Sequence, residues 1–265
     1  MKTTLFKTHC LMKTSTFFHP FVCFILGCTL LGGLCGCQSS DDAQLPDSGT
    51  THLGEYGELI APLIKCMNLP RPADAYNYPF YPGMASWATL PASTQERIKA
   101  CQVPLSLVQT QSTMALIWDL WEFPFFGEPL VTTSSMRQAQ AMANSMKDLQ
   151  LNAYLELLDR KDNTACLTTC YLAMDPAAEP LFYTYAFEAF LTADDLLPQL
   201  TDAQRKKMIE AARIKDGLRQ ADPNRSGIFR GVSWYLIGKL LQTAPYGPFL
   251  KEIAGNEKLA SFLLV

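Results

Sequence analysis

Two segments of the chain are apolar nearly all the way round when they are drawn as helices, and this pattern constrains the fold strongly. They are residues 180–191, PLFYTYAFEAFL, and residues 228–241, IFRGVSWYLIGKLL. A helix that lacks a polar face is stable only when neighbours cover it on every side. Both segments are therefore predicted to be central helices, with the rest of the domain packed around them.

Glu188 is the one charged residue in the first of these segments. A buried carboxylate is usually paired, because an isolated buried charge is costly. The sequence predicts that Glu188 is buried and forms a salt bridge with Arg230 or Lys239 of the second segment.

The rest of the chain after residue 53 has the periodicity of amphipathic helices, without sustained strand alternation. Ser93 with Glu96, and Thr201 with Gln204, have the spacing of capping boxes. Helices are predicted at about 55–68, 93–101, 105–121, 134–148, 151–160, 163–174, 179–193, 201–218, 228–242 and 246–263. The expected fold of residues 54–265 is all-α, either a single compact multi-helix bundle or a short solenoid-like stack of antiparallel helices.

The helix predicted after Thr201 carries an apolar stripe with spacings of three, three and four residues, which is the pattern of a core-facing side. The stripe consists of Met208, Ala211, Ile214 and Leu218. We expect these four side chains to face the core.

The N-terminus has the pattern of a secretory leader. Phe21–Leu34 is a run of 14 uncharged residues, whereas a membrane-spanning helix needs about 20. The following LCGC resembles the lipobox of bacterial lipoproteins, whose last cysteine is acylated. The apolar run and the LCGC sequence together predict a signal peptide over residues 1–36 and lipidation at Cys37. Cys35 fits less well because Leu34 would precede it where lipoboxes have a small residue, and an uncleaved signal anchor is the alternative.

Residues 37–53 form a polar tether that begins QSSDD after Cys37. This start resembles the export signal of surface lipoproteins of Bacteroidota, in which acidic residues lie close to the lipidated cysteine. The expected location is the outer membrane, lipid-anchored and facing the cell exterior. A plain linker, with the domain on the periplasmic face, is the alternative. Translation from Met12 would also give a complete leader.

Charge and histidine content exclude several functions. Three of the 22 basic residues and none of the 25 acidic residues lie in residues 1–36, so the remainder has a net charge of 19 − 25 = −6. This balance argues against a nucleic-acid partner. His9 and His19 lie in the leader and His52 in the tether, so residues 54–265 contain no histidine. A Ser-His-Asp triad, a Cys-His pair and an HExxH zinc site are therefore excluded there.

Four cysteines follow the tether: Cys66, Cys101, Cys166 and Cys170. Cys166 and Cys170 share one face of a predicted helix. Buried thiols, a disulfide and a metal or redox role all remain open for this pair. Zinc would need two further ligands, which histidine cannot supply. We expect no metal and no cofactor.

An irregular segment over residues 71–91 contains four prolines and five aromatic residues. Such a segment can form a stacking platform for a glycan or an extended peptide, or a strap that seals a helical core. The candidate ligand-binding residues are Tyr76, Tyr78, Phe80, Tyr81 and Trp87.

The stretch WDLWEFPFFGEP, residues 118–129, places Asp119, Glu122 and Glu128 among aromatic residues. Paired carboxylates beside aromatic rings are the equipment of a glycosidase cleft, so these three are candidate catalytic residues. The alternative is a helix C-terminus with solvated acids and a buried aromatic face.

The order of motifs from residue 80 to about 220 resembles a family of secreted or lipid-anchored helical proteins of Bacteroidota and other anaerobes. That family has a Gly-x-x-x-Trp loop, an Ala-Cys-Gln-Ile-Pro helix, a helix ending in Tyr-Pro and a Glu-Leu-Leu-x-Arg-x-Asp turn. The matching residues are Gly83, Trp87, Glu96, Arg97, Cys101, Gln102, Pro104, Phe123, Pro124, Glu156, Leu158, Arg160 and Asp162. The resemblance implies an independent helical domain and transfers no site residues. Phe123 replaces the usual tyrosine, so no tyrosine hydroxyl can act at that position.

These observations favour a non-enzymatic lipoprotein whose helical domain binds a protein, peptide or glycan, or acts as a scaffold. A carboxylate-based glycoside hydrolase without histidine and a purely structural envelope component are the alternatives.

Overall fold

The computed structural model describes residues 54–126, 137–178, 181–221, 230–243 and 247–263. The predicted leader, the tether with Cys37, and Glu128 lie outside these described residues. Every described residue belongs to one compact unit, Leu45–Val265. All members of the main hydrophobic core lie between Tyr56 and Leu240. Within the described ranges, none of the helices combines the length and the apolar character needed to cross a membrane.

The described regular structure is helical, as the sequence predicts, and the helices pack against one another as an all-α bundle. The α-helices are α1 (Gly54–Met67), α2 (Thr94–Ala100), α3 (Leu105–Val108), α4 (Thr113–Trp121), α5 (Arg137–Asp148), α6 (Asn152–Asp159), α7 (Asn163–Ala173), α8 (Leu181–Phe190), α9 (Asp202–Gln220), α10 (Arg230–Thr243), α11 (Gly247–Gly255) and α12 (Glu257–Leu263). Short 3-10 turns occupy Ala85–Thr89 and Leu197–Gln199.

The prediction of one helix over 105–121 is wrong, because the chain breaks between α3 and α4. Ser112 is the N-cap of α4, and its hydroxyl accepts a hydrogen bond from the Ala115 N–H at 3.2 Å. The Asp74 carboxylate in turn accepts bonds from the Ser112 N–H and hydroxyl, at 2.6 and 3.1 Å. The break therefore lies where the irregular segment docks, a long-range contact that local periodicity does not reveal.

The helix predicted at the C-terminus and the two predicted capping boxes are confirmed only in part. The helix expected over 246–263 is divided at Asn256, directly after Gly255, and glycine is among the weakest helix formers. The capping box of Thr201 and Gln204 is confirmed, with both reciprocal bonds present. Ser93 is the N-cap of α2, but its side chain makes no capping bond.

The core is built around α4 and α8. Every α4 residue except Met114 is buried, and α8 packs against α1, α5 and α10. The prediction of a central helix is confirmed for α8, whose side chains from Thr184 to Phe190 are buried. For α10 it holds only in part, since Trp234 is 51% exposed.

The apolar stripe of helix α9 faces the core only in part. Met208 is buried and Ala211 packs against the core, but Ile214 and Leu218 are 48% and 57% exposed. In the C-terminal half of the helix the buried side carries Lys215, Asp216 and Arg219 instead. The stripe prediction is wrong for Ile214 and Leu218, because specific charged partners in the core hold the polar side of the helix inward.

The four described cysteines form no disulfide with one another. Cys170 is buried, its sulfur lies 3.3 Å from that of Met114, and burial raises the pKa of its thiol to about 12. Such a thiol is protonated at neutral pH and is a poor nucleophile. Of the interpretations open for Cys166 and Cys170, the structure favours thiols that serve packing.

Candidate functional site

Residues 71–91, called the strap below, cross the N-terminal part of the bundle and bind the end of α4 through polar side chains. Arg71 begins the strap, and Glu122 directly follows α4. The Arg71 guanidinium donates from Nε to Glu122 Oε1 at 2.7 Å and from Nη2 to Glu122 Oε2 at 2.9 Å. The Tyr56 hydroxyl of α1 donates to the same Oε2 at 2.7 Å. Glu122 therefore joins α1, α4 and the strap.

Asp119 makes a second set of bonds between the strap and α4. Its Oδ1 accepts from the Tyr76 N–H at 2.6 Å, and its Oδ2 accepts from Gln111 Nε2 at 2.7 Å. Gln111 Nε2 also donates to the Asp74 carbonyl at 2.8 Å, and the Tyr78 hydroxyl donates to the Asp119 carbonyl at 2.8 Å. We call Tyr56, Arg71, Gln111, Asp119 and Glu122 the strap clamp.

Burial sets the electrostatics of the strap clamp. Asp119 and Glu122 are both 0% exposed. Burial raises the pKa of Asp119 to about 7, although the bonds from Tyr76 and Gln111 act in the opposite direction. Burial also raises the pKa of Glu122, against the effect of the bidentate Arg71. The interpretation of these carboxylates as solvated acids is wrong.

The raised pKa of Asp119 beside a second carboxylate is the pairing that acid–base hydrolysis uses. The geometry, however, leaves no oxygen for a substrate. Each of the four carboxylate oxygens of Asp119 and Glu122 already accepts a hydrogen bond from the protein. In this conformation the pair holds the strap, and a substrate would reach it only if the strap moved.

The five aromatic residues of the strap are divided between the core and its edge. Tyr78 and Tyr81 are 2% and 6% exposed, which removes them from the candidate binding surface. Tyr76, Phe80 and Trp87 are partly buried against the core. The Trp87 ring lies between Phe125, with centroids 5.5 Å apart, and the Arg97 guanidinium, 5.4 Å from the ring. The arrangement supports a strap that seals the helical core, rather than an open stacking platform.

A second buried polar cluster surrounds Glu188, whose burial is confirmed at 0% exposure. Its salt-bridge partner is Arg219 of α9, at 2.9 Å, and not Lys239. Lys239 lies 3.8 Å from Asp194, and the Arg230 side chain lies outside the described part of the chain. Sequence reasoning missed Arg219 because the apolar stripe of α9 assigned it to the solvent side.

Glu188 is the hub of this cluster, because one residue from each of three helices donates to it. The donors are the Tyr171 hydroxyl of α7 at 3.0 Å, Arg219 Nη1 of α9 at 2.9 and 3.0 Å, and the Ser233 hydroxyl of α10 at 2.6 Å. Arg219 Nη1 also donates to Ser233 Oγ, and Nη2 donates to Thr184 Oγ1 at 3.1 Å. The cluster thus ties α7, α8, α9 and α10 together.

Lys215 lies beside the hub and is only 5% exposed. Its ammonium donates to the Met174 carbonyl and lies 5.3 Å from the centroid of the Tyr171 ring. Burial lowers the pKa of Lys215 to about 8, while Glu188 and Asp175 act to raise it. These two contacts, to a backbone carbonyl and an aromatic ring, are those of a packed side chain.

Among the residues that the structure describes, no three His, Cys, Asp or Glu side chains come together in a geometry that could hold a metal ion. Comparison with protein-family models, curated proteins and solved structures finds no match to this chain. The family resemblance of residues 80–220 therefore remains a prediction.

Proposed function

We propose that this protein is a lipoprotein anchored through Cys37, with a non-enzymatic helical domain that acts as a binding or scaffolding module at the cell surface. The anchor is inferred from the short apolar leader and the LCGC sequence. More than one acyl chain on a single cysteine holds a protein stably on a membrane. A purely structural role in the envelope differs from this proposal only in that the domain would bind no ligand.

The proposal that the domain is not an enzyme rests on the burial and hydrogen bonding of the strap clamp. Asp119 and Glu122, the acid pair best suited to hydrolysis, are fully buried, and every oxygen is bonded within the protein. A general acid must come within hydrogen-bond reach of its substrate. Groups that hold the strap to α4 do not meet this requirement in the closed conformation.

The anchor is tested by labelling cells with an alkyne fatty acid and detecting the acylated protein. The wild-type chain and the Cys35→Ala variant should be labelled, and Cys37→Ala should not, because Cys37 alone has the small residue before it that lipoboxes have. Persistent labelling of Cys37→Ala would reject the anchor site. Labelling lost in Cys35→Ala alone would move the anchor to that residue.

A glycoside hydrolase is the second candidate, favoured by one observation: the pKa of Asp119 is raised to about 7, as in a general acid. The two candidates are separated by applying the chain from Leu45 to Val265 to a glycan array, with product analysis on the same glycans. Turnover that Glu122→Gln abolishes, while folding is retained, would establish the enzyme. Binding without turnover supports the module. Trp87→Ala and Phe80→Ala then test whether the partly exposed strap rings contribute to recognition.

A further inference from the structure

Large apolar side chains are exposed on one side of the bundle. Of the seven that are exposed among the described residues, four lie on α7, α9 and α10. They are Leu172 at 44%, Ile214 at 48%, Leu218 at 57% and Trp234 at 51% exposure. In the C-terminal half of α9, Ile214 and Leu218 face outward while Lys215, Asp216 and Arg219 are buried, so the usual distribution of an amphipathic helix is reversed there.

These helices form one layer. Helix α9 packs against both α7 and α10, so it lies between them. Glu188 of α8 accepts bonds from Tyr171, Arg219 and Ser233, one residue from each helix of the layer. Helix α8 therefore lies behind the layer, and the opposite side of the layer faces outward. We call this side, with Leu172, Ile214, Leu218 and Trp234, the outer face.

The charges of the outer face differ in sign from those of the chain as a whole. Lys206, Lys207 and Arg213 of α9 are exposed, and Glu210 is the exposed acid among them, which gives a local charge of 3 − 1 = +2. The acidic Asp202 pairs with Arg205 at 3.3 Å. Residues 163–173 and 231–243 contain no acidic residue. A positive apolar face on a protein with an excess of acidic residues indicates an anionic partner.

We propose that the outer face lies on an anionic lipid surface. Half-exposed leucine, isoleucine and tryptophan side chains bury their apolar parts at the headgroup boundary, while lysine and arginine reach the phosphates. Tryptophan is suited to this boundary because its ring is apolar and its N–H is polar. A second copy docked face to face would bring the basic residues of α9 together, which like-charge repulsion disfavours. The anchoring proposed above would bring the face to a membrane.

The test uses the chain from Leu45 to Val265, which contains the whole described core and lacks Cys37. Its outcome is therefore independent of the labelling experiment on Cys37. Co-sedimentation is measured with vesicles of phosphatidylcholine, with and without phosphatidylglycerol. We expect binding only to the phosphatidylglycerol vesicles, with a loss at high salt, because screening weakens the attraction to anionic headgroups.

Two variants separate the apolar and the basic contributions. Ile214→Ser with Leu218→Ser and Trp234→Ser should lower the bound fraction about tenfold, and Lys206→Gln with Lys207→Gln and Arg213→Gln should do the same. Leu105→Ser is the matched control, because Leu105 is 59% exposed but lies on α3, and it should bind as the wild type does. Circular dichroism checks that each variant folds.

A second measurement follows Trp234 directly. Brominated lipids should quench part of the tryptophan fluorescence of the wild type, and Trp234→Phe should remove that quenching. Equal binding to both vesicle types, unchanged binding of the two triple variants, or no binding at all would overturn the proposal. Concentration-dependent self-association that the apolar triple variant abolishes would overturn it in favour of a second copy.

Discussion

Gly83 is a residue that backbone geometry makes hard to replace. It has φ = +102°, a region that L-residues rarely adopt, and a Cβ would lie 2.9 Å from Leu59 Cδ2. Gly83→Ala should lower the free energy of unfolding by about 1–3 kcal/mol, measured by urea denaturation, chiefly through backbone strain. Gly217→Ala is the matched control. Gly217 is in the interior of α9 with nothing within 4 Å of a Cβ, so alanine should stabilise by about 0.5–1 kcal/mol. Equal effects of the two substitutions would contradict the strain argument.

Asp119 should make stability depend on pH in an unusual direction. Burial raises the pKa of its folded-state carboxyl to about 7, so between about pH 4 and 7 the folded chain holds a proton that the unfolded chain has lost. The contribution of Asp119 is present below about pH 4 and is lost as the pH rises through 7, with a slope of up to about 1.4 kcal/mol per pH unit. Urea midpoints across this range should show that Asp119→Asn lacks the slope.

The control for this experiment is Asp159→Asn, which removes an exposed carboxylate at the end of α6 and should keep the wild-type pH dependence. The difference between wild type and variant isolates Asp119, because all other titrating groups are common to both. Identical pH profiles for wild type and Asp119→Asn would show that the buried carboxyl does not change protonation in this range.

The four helices α7 to α10 are joined by Glu188, and their stability should depend on it. Glu188→Ala leaves the Arg219 guanidinium buried without its carboxylate, and breaking a buried pair costs about 3–5 kcal/mol. Urea unfolding should show a loss of that size. Glu210→Ala removes an exposed carboxylate of α9 and should change stability by no more than about 0.5 kcal/mol.

The same interaction can be tested from the other side with a double variant. Glu188→Ala combined with Arg219→Met removes both charges, so it should recover part of the stability lost in Glu188→Ala. Additive losses in the double variant would mean that the two residues act separately and that the hub interpretation is wrong.

The sequence predicts which helices exist better than it predicts where each helix ends or which side of it faces the core. Periodicity locates α1, α7 and α9 to within about two residues, because their packing partners reinforce local preference. It does not predict the break before α4, which depends on Asp74 binding Ser112 from 38 residues away. The outward turn of Ile214 and Leu218 depends on Glu188, which holds Arg219 inward, and spacing contains no information on that partner.

The candidate site shows the same limit. Asp119 and Glu122 can be selected from sequence as a carboxylate pair among aromatic residues. Their partners Arg71 and Tyr56 come from segments 51 and 66 residues away from Glu122, so only the folded chain brings them together. A proline-rich aromatic segment followed by an acid pair among aromatic residues is the sequence signal that could have suggested a strap with a clamp.

If the chain is lipid-anchored as proposed, the leading question for the whole molecule is which side of the membrane the domain faces. The acids of the QSSDD stretch, Asp41 and Asp42, lie four and five residues after Cys37, whereas Asp47 lies further along the tether. If the position of the acids is the export signal, protease added to intact cells should remove the wild-type domain. Asp41→Ala with Asp42→Ala should protect it until the cells are lysed, while fatty-acid labelling at Cys37 continues.

Asp47→Ala is the control that separates the export signal from a merely polar tether. It removes an acid from the same tether, and it should leave the domain as accessible to protease as in the wild type. A double variant that is still digested on intact cells would mean that the acids only solvate the linker. A wild-type domain that resists protease until lysis would place it on the periplasmic face. Because the proposed anchor at Cys37 is unchanged in every variant, a difference in protease accessibility between them is due to the acidic residues alone.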